Sequence, residues 1–274
     1  MTNFKRIIDF YIDSSIHVAF SCYALVQMTG FMFNISNIEP TAFFAFFGTI
    51  VGYNFVKYDA LIRAKKQQIR KELKVILIFS LVAFVAVLHF FFQLQTITQI
   101  VAVVFLGLIV LYTLPFFPNR KNARNWAGVK IYIVALCWVG VTVFLPILNA
   151  KIAVETNFII IAIQRFLLIF VLVLIFEIID LKNDDPHLQT VPQQIGVKQT
   201  KILGFFLLLV LIILEFFNAN LNYAILFLKV VVALAIILFL YFASEKRSKY
   251  YTSFWVESVP IFWWVLLLIF GQLF

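Results

Sequence analysis

Three carboxylates in the stretch FEIIDLKNDDPHLQTVPQQIG (176–196) have the spacing of a metal site. Glu177, Asp180 and Asp184 are separated by three and four residues. At about 100° per residue, a helix would hold them within about 60° of one another. Charges stacked this closely repel, and at a helix C-terminus the macrodipole disfavours anions further. A divalent cation offsets both costs, since Mg²⁺ takes one or two carboxylates and completes its shell with water and phosphate oxygens. The same residues also read as a solvated acidic start to a loop. Charge near membrane depth more often marks a site, which favours the ligand reading.

Cations near that segment have the complementary task. Lys182, Lys198 and the basic loops at 63–74 and 118–130 can ring a phosphate-rich headgroup. Taken singly, each lysine is equally explained by the excess of positive charge in the inner loops of any polytopic protein. Earlier in the chain, GTIVGYNFVKYDALIRAKK (48–66) places Asn54, Lys57, Tyr58 and Leu61 on one helix face. Asp59 falls about 140° away from Asn54. Asn54 and Lys57 read as binding groups or, equally, as an interhelical hydrogen bond and a snorkelling lysine. Arg165, Glu215 and Lys229 fall in the other halves of their apolar segments and read as a structural ion-pair set. His17, His89 and His187 are scattered without a metal-ligand spacing, and no phosphate loop, nucleophile elbow or dinucleotide fingerprint occurs.

The elements that carry these residues are membrane spans. Of 274 residues, 64% are hydrophobic and 13% charged, and the mean hydropathy is +1.01. A soluble core of this size has no room for so many apolar side chains. Two cysteines exclude a disulfide scaffold, and the hydrophobicity excludes a disordered chain. The net charge of +9 is spread over short loops with no basic domain, so a nucleic-acid partner is not expected.

A crossing needs about 20 apolar residues. That ruler predicts nine spans, at 16–35, 41–62, 75–93, 97–117, 129–149, 157–180, 201–217, 222–242 and 253–273, in a single transmembrane domain covering 1–274. The N-terminal 1–15 reads as an amphipathic interfacial helix, with Phe4, Ile7, Ile8, Tyr11 and Ile12 opposed by Lys5, Arg6, Asp9 and Asp13. Of the 22 Lys and Arg residues, 18 fall in alternate loops or at the N-terminus. This asymmetry predicts a cytoplasmic N-terminus and an outer C-terminus. Compactness and the lack of a transit peptide point to a bacterial inner membrane.

With nine spans, an inner N-terminus and acidic helix ends, the chain resembles the UbiA-type intramembrane prenyltransferases. The specific part is EIIDLKNDDPHLQTVPQQIGVKQTKIL (177–203). That family's second motif, D-x-x-D-x-x-x-D, is matched by Glu177, Asp180 and Asp184, with Glu in the first place. Thr190, Pro192, Gly196, Lys198 and Thr200 are similar to its downstream stretch. LYTLPFFPNRK (111–121) resembles the tyrosine-led, proline-containing loop after the fourth span, which would turn Tyr112, Arg120 and Lys121 to the substrate mouth. The family's first motif, N-D-x-x-D-x-x-x-D, keeps only Asn54; its three aspartate positions are Phe55, Tyr58 and Ile62.

The resemblance implies an all-α bundle around a central cavity. It further implies Mg²⁺-assisted transfer of an isoprenoid chain from a prenyl diphosphate to an aromatic or lipid-like acceptor. Asp180, Asp184 and Asn54 would be catalytic, and Glu177, Asp180 and Asp184 would hold metal. Lys57, Arg63, Arg120, Lys121 and Lys198 would contact diphosphate. Two alternatives remain open at the level of sequence: a lipid-binding relative that has lost turnover, and a small transporter. Pro115 and Pro146 lie at span ends instead of breaking mid-membrane helices, which disfavours the transporter.

Overall fold

The computed structural model describes residues 3–64, 71–114, 128–218 and 221–270, with side chains from 5 to 59 in the first of these segments. Arg120, Lys121 and the Arg63 side chain therefore lie outside the described residues.

Helix α1 (Asn3–Asp13) is the expected interfacial segment. Ile7 is exposed and Ile12 buried, while Asp9 and Asp13 reach Lys249 at 3.9 Å and Asp13 reaches Lys57 at 3.5 Å. The crossings follow as α2 (Ile16–Met32), α3 (Glu39–Ala64), α4 (Lys71–Phe91) and α5 (Thr96–Thr113). A rod made of α6 (Lys130–Val139), a π-helical stretch (Gly140–Phe144) and α7 (Leu145–Asn149) comes next. Then come α8 (Thr156–Asp180), α9 (Val191–Leu214), α10 (Tyr223–Phe242), and a π-helical stretch (Tyr251–Val256) leading into α11 (Val259–Phe270). Seven of these rods are long and apolar enough to cross a membrane; α2 is a shorter apolar helix, and α3 with 26 residues completes nine among the described residues.

Polar backbone groups cannot be left open in hydrocarbon, so the chain solves the membrane with helices alone. Their packing closes a ring: α2 against α3, α3 against α5, α5 against the α6–α7 rod, then α8, α9, α10, α11 and back to α2. Helix α4 packs on α3 outside that ring. Close approach is built in at Gly140, where an added Cβ would lie 2.0 Å from the Phe105 ring. The main core joins α8, α9, α10 and α11 through Leu168, Ile175, Leu208, Ile236 and Leu267. Alternation of direction brings the last turns of α3, α5, α8 and α10 and the first turns of α2, α6, α9 and α11 to one end of the bundle.

The seventh span differs from expectation. It begins at Val191 instead of 201, because Thr190 and Gln193 start it locally: the Thr190 N–H donates to the Gln193 side chain at 2.9 Å, and Pro192 occupies its first turn. Gly196, with φ of 80°, then breaks the helix. A side chain there would be strained, so the break requires glycine.

Candidate functional site

The site is organised by the end of α8. That helix stops at Asp180, and the backbone carbonyl of Asp180 accepts from the N–H groups of Asn183 (2.7 Å) and Asp184 (2.9 Å) as the chain turns away. The helix proper ends at Asp180, but the i→i+4 bond ties Asp184 back to it, and Asp184 remains an electrostatic neighbour of Glu177. Among the described residues, no three His, Cys, Asp or Glu side chains gather as a metal site would require.

What the turn does assemble is a lysine between two carboxylates. Lys130, at the start of α6, approaches Asp184 Oδ2 at 4.0 Å, outside hydrogen-bond range, and is an electrostatic neighbour of Glu177. Its position follows from the loop: the Gly128 N–H donates to the Leu188 carbonyl at 2.9 Å, and Gln194 Nε2 to the Gln189 carbonyl at 2.6 Å. Glu177, 2% exposed, accepts from the Val191 N–H at 3.1 Å, so it joins the end of α8 to the start of α9. Asp184 Oδ2 is buried without a hydrogen-bond partner. Such an oxygen carries an uncompensated desolvation cost. Asp180 is half-buried beside it in sequence, and Lys198, just past the Gly196 break, is exposed.

On the α3 side the expected first motif is spent elsewhere. Asn54, 3% exposed, accepts from Ser15 Oγ at 2.8 Å and donates to the Ser14 carbonyl (3.0 Å) and Ser80 Oγ (2.8 Å). Both donors are used, and the side chain pins α3 to the α1–α2 junction and to α4. Of its two sequence readings, the interhelical hydrogen bond is the one present. Lys57 donates to the Asp13 carbonyl at 3.2 Å and pairs with its carboxylate, and Tyr58 donates to the same carbonyl at 2.7 Å.

Tyr53 on α3 is 36% exposed although its electrostatic neighbours are Glu257 of the last span, Cys22 of α2 and Tyr112 of α5, from three other sides of the ring. Trp138 of α6 donates to the Tyr53 hydroxyl at 2.9 Å. Tyr112, 7% exposed, is an electrostatic neighbour of Tyr53. Glu257 was not anticipated. Its signal was legible, as a lone acid inside the apolar run SFWVESVPIFWW (253–264).

At the opposite end, Glu215 and Lys229 form a buried ion pair. Lys229 also donates to Gln164 Oε1 at 2.9 Å, and Gln164 Nε2 donates to Glu215 Oε2 at 2.9 Å and to the Leu211 carbonyl at 3.0 Å. Arg165 is not part of the expected ion-pair set; it donates to the Leu25 carbonyl at 3.0 Å.

A ring of apolar helices with a polar turn at one end defines a polytopic α-helical membrane protein. No family model matches the sequence, and no curated protein is similar to it. Two solved structures are. One is a structure of digeranylgeranylglyceryl phosphate synthase, with a TM-score of 0.55 and 15% identity over 97% of this chain and 96% of that one. The other is a UbiA homolog from Archaeoglobus fulgidus bound to Cd²⁺, with a TM-score of 0.61 and 13% identity over 93% of this chain and 97% of that one. The chain has the fold of the UbiA-type prenyltransferases.

Proposed function

We propose that the chain is a membrane prenyltransferase that transfers an isoprenoid chain from a prenyl diphosphate to an aromatic or lipid-like acceptor. The observation that carries this reading is the Asp184 oxygen, buried beside Lys130 without a hydrogen bond among the described residues, at the polar end of a fold shared with a Cd²⁺-bound UbiA homolog. Asp180 and Asp184 would hold one Mg²⁺. Bound there, the ion would neutralise charge on the leaving diphosphate. Lys130 and Lys198 add positive charge on the same turn, with Arg63, Arg120 and Lys121 assigned to the same task by sequence. Lys130 takes over part of the charge that a second metal supplies in a full two-motif cradle. Glu177 holds the α8–α9 turn in place through Val191, a positioning role. The Tyr53, Trp138 and Tyr112 walls shelter the allylic cation from water until the acceptor captures it. The polar turn lies on the cytoplasmic face of a bacterial inner membrane, and the whole chain forms one transmembrane domain.

A second reading is favoured by one observation, the consumption of Asn54 in structural hydrogen bonds: a lipid-binding relative without turnover. Release of inorganic diphosphate separates the two. The protein in lipid nanodiscs, given a long-chain prenyl diphosphate, Mg²⁺ and a panel of phenolic and lipid acceptors, should release diphosphate and form a prenylated product with at least one acceptor. Binding without release across the panel would favour the second reading, and neither binding nor release would overturn both.

A further inference from the structure

Where α8 meets α2, α9, α10 and α11, a small pocket lies beside Arg165, walled by Met32, Gln164, Leu168, Leu211, Lys229 and Trp263. It has room for about one water-sized group. Arg165 stands about 22 Å of helix away from Asp180, so the pocket is separate from the turn assigned to diphosphate.

Charge does not balance around this pocket. Glu215 and Lys229 form an ion pair that sums to zero wherever its proton resides. Arg165, 3% exposed, is left as one positive charge, with no carboxylate paired to it among the described residues. Its guanidinium donates to the Leu25 carbonyl at 3.0 Å and to Thr29 Oγ1 at 3.5 Å, both neutral acceptors. Lys229 is its electrostatic neighbour, so two cations share one acid. A guanidinium keeps its proton in a protein, and a buried charge without a counter-ion is costly in an apolar bundle.

Hydrogen bonding is unbalanced in the same sense. The Trp263 Nε1–H is buried and takes no partner among the described residues. An indole can only donate, and a guanidinium has N–H groups beyond those that Leu25 and Thr29 accept. Among the side chains lining the pocket, the only oxygen is Gln164 Oε1, which already accepts from Lys229 at 2.9 Å. A water molecule would bring two hydrogens of its own to place against that surplus of donors, whereas an anion only accepts.

We propose that the pocket binds a single small monovalent anion of halide size, held by Arg165 and the Trp263 Nε1–H. The anion supplies the counter-charge that the helices lack. The apolar walls of Met32, Leu168 and Leu211 strengthen the attraction by keeping the local dielectric low. Space for one water-sized group excludes a phosphate or a lipid headgroup. Occupation joins α8 to α11 and stabilises the folded bundle, and none of this depends on the prenyltransferase reading.

The test is thermal unfolding of the full chain in lipid nanodiscs at constant ionic strength, with sodium gluconate replaced stepwise by sodium chloride or sodium bromide. Gluconate is too large for the pocket. The wild-type melting temperature should rise with halide and level off, by at least about 3 °C in all, as a ligand that binds only the folded state requires. Trp263→Phe, which keeps an aromatic ring and removes the N–H, should lose at least half of that shift, and Arg165→Gln should lose all of it. A melting temperature indifferent to halide would mean that the pocket holds water only, and would overturn the proposal. An equal shift in the wild type and both variants would put the halide elsewhere and overturn it as well. If Arg165→Gln does not fold, Trp263→Phe decides by the same criterion.

Discussion

The two polar ends of α8 are built on opposite principles. Near Gln164, the charged groups all have partners: Glu215, Lys229 and Gln164 exchange hydrogen bonds in a closed triangle, and Arg165 finds the Leu25 carbonyl, while the Trp263 Nε1–H that lines the same small pocket is buried without one. Near Asp180, Lys130 stops at 4.0 Å from a carboxylate oxygen that is buried and unsatisfied. Both ends place charges in a membrane helix bundle, yet only near Asp180 is a charged group left, among the described residues, with an oxygen that takes no hydrogen bond. Charge whose hydrogen bonds are spent holds helices together, and charge whose bonds are unspent is ready for a ligand. Asn54 belongs with the first kind, although its sequence context matched the second.

Variants that break the closed triangle should have the largest effect. Glu215→Leu or Lys229→Met alone strands a buried charge and should cost about 3–5 kcal/mol. The double variant Glu215→Leu/Lys229→Met should recover most of that loss in a denaturation series. Additive losses would show that the pair is not the unit. Asn54→Ala removes the hydrogen bonds that join α3 to Ser14, Ser15 and Ser80 and should lower stability by about 2 kcal/mol, while affinity for a prenyl diphosphate stays within about twofold. A large loss of affinity there would return Asn54 to the binding machinery.

Asp184→Asn should act in the reverse sense. Its melting temperature should hold, because no hydrogen bond is lost, while Mg²⁺-dependent binding of a prenyl diphosphate should weaken at least about tenfold, equivalent to about 1.4 kcal/mol. The smallest effect belongs to Lys249→Ala, which removes solvent-screened contacts with Asp9 and Asp13 at 3.9 Å. It should change stability by less than about 1 kcal/mol, a control for the buried pairs.

The span pattern was legible because hydrocarbon thickness alone fixes the length of an apolar helix. The seven described rods long and apolar enough to cross, the interfacial α1 and the α4–α5 hairpin therefore lie near their expected positions, apart from the early start of α9 at Val191. Thr190, Gln193 and Pro192 also spell out a helix start, which a hydropathy ruler passes over because the first turns of α9 are polar. The site was harder to read. Assigning Glu177, Asp180 and Asp184 to one face presumed that α8 runs through Asp184, and helix ends depend on the turn that follows. The engagement of Asn54 by Ser14, Ser15 and Ser80 arises only when three helices meet, so no local spacing encodes it. Lys130 looked like one loop cation among many until the Gly128–Leu188 hydrogen bond brought it to Asp184. Glu257 carried a readable signal, an acid in an apolar run, but a π turn just before it decides where its side chain is aimed.

The most direct measurement of the open end is binding of a long-chain prenyl diphosphate to the protein in lipid nanodiscs, titrated with Mg²⁺, for the wild type and for Asp180→Asn/Asp184→Asn. Affinity that rises with Mg²⁺ in the wild type and loses that dependence in the double variant is the expected result. Absence of binding, or binding indifferent to both metal and substitution, would contradict a one-cation diphosphate site at the end of α8.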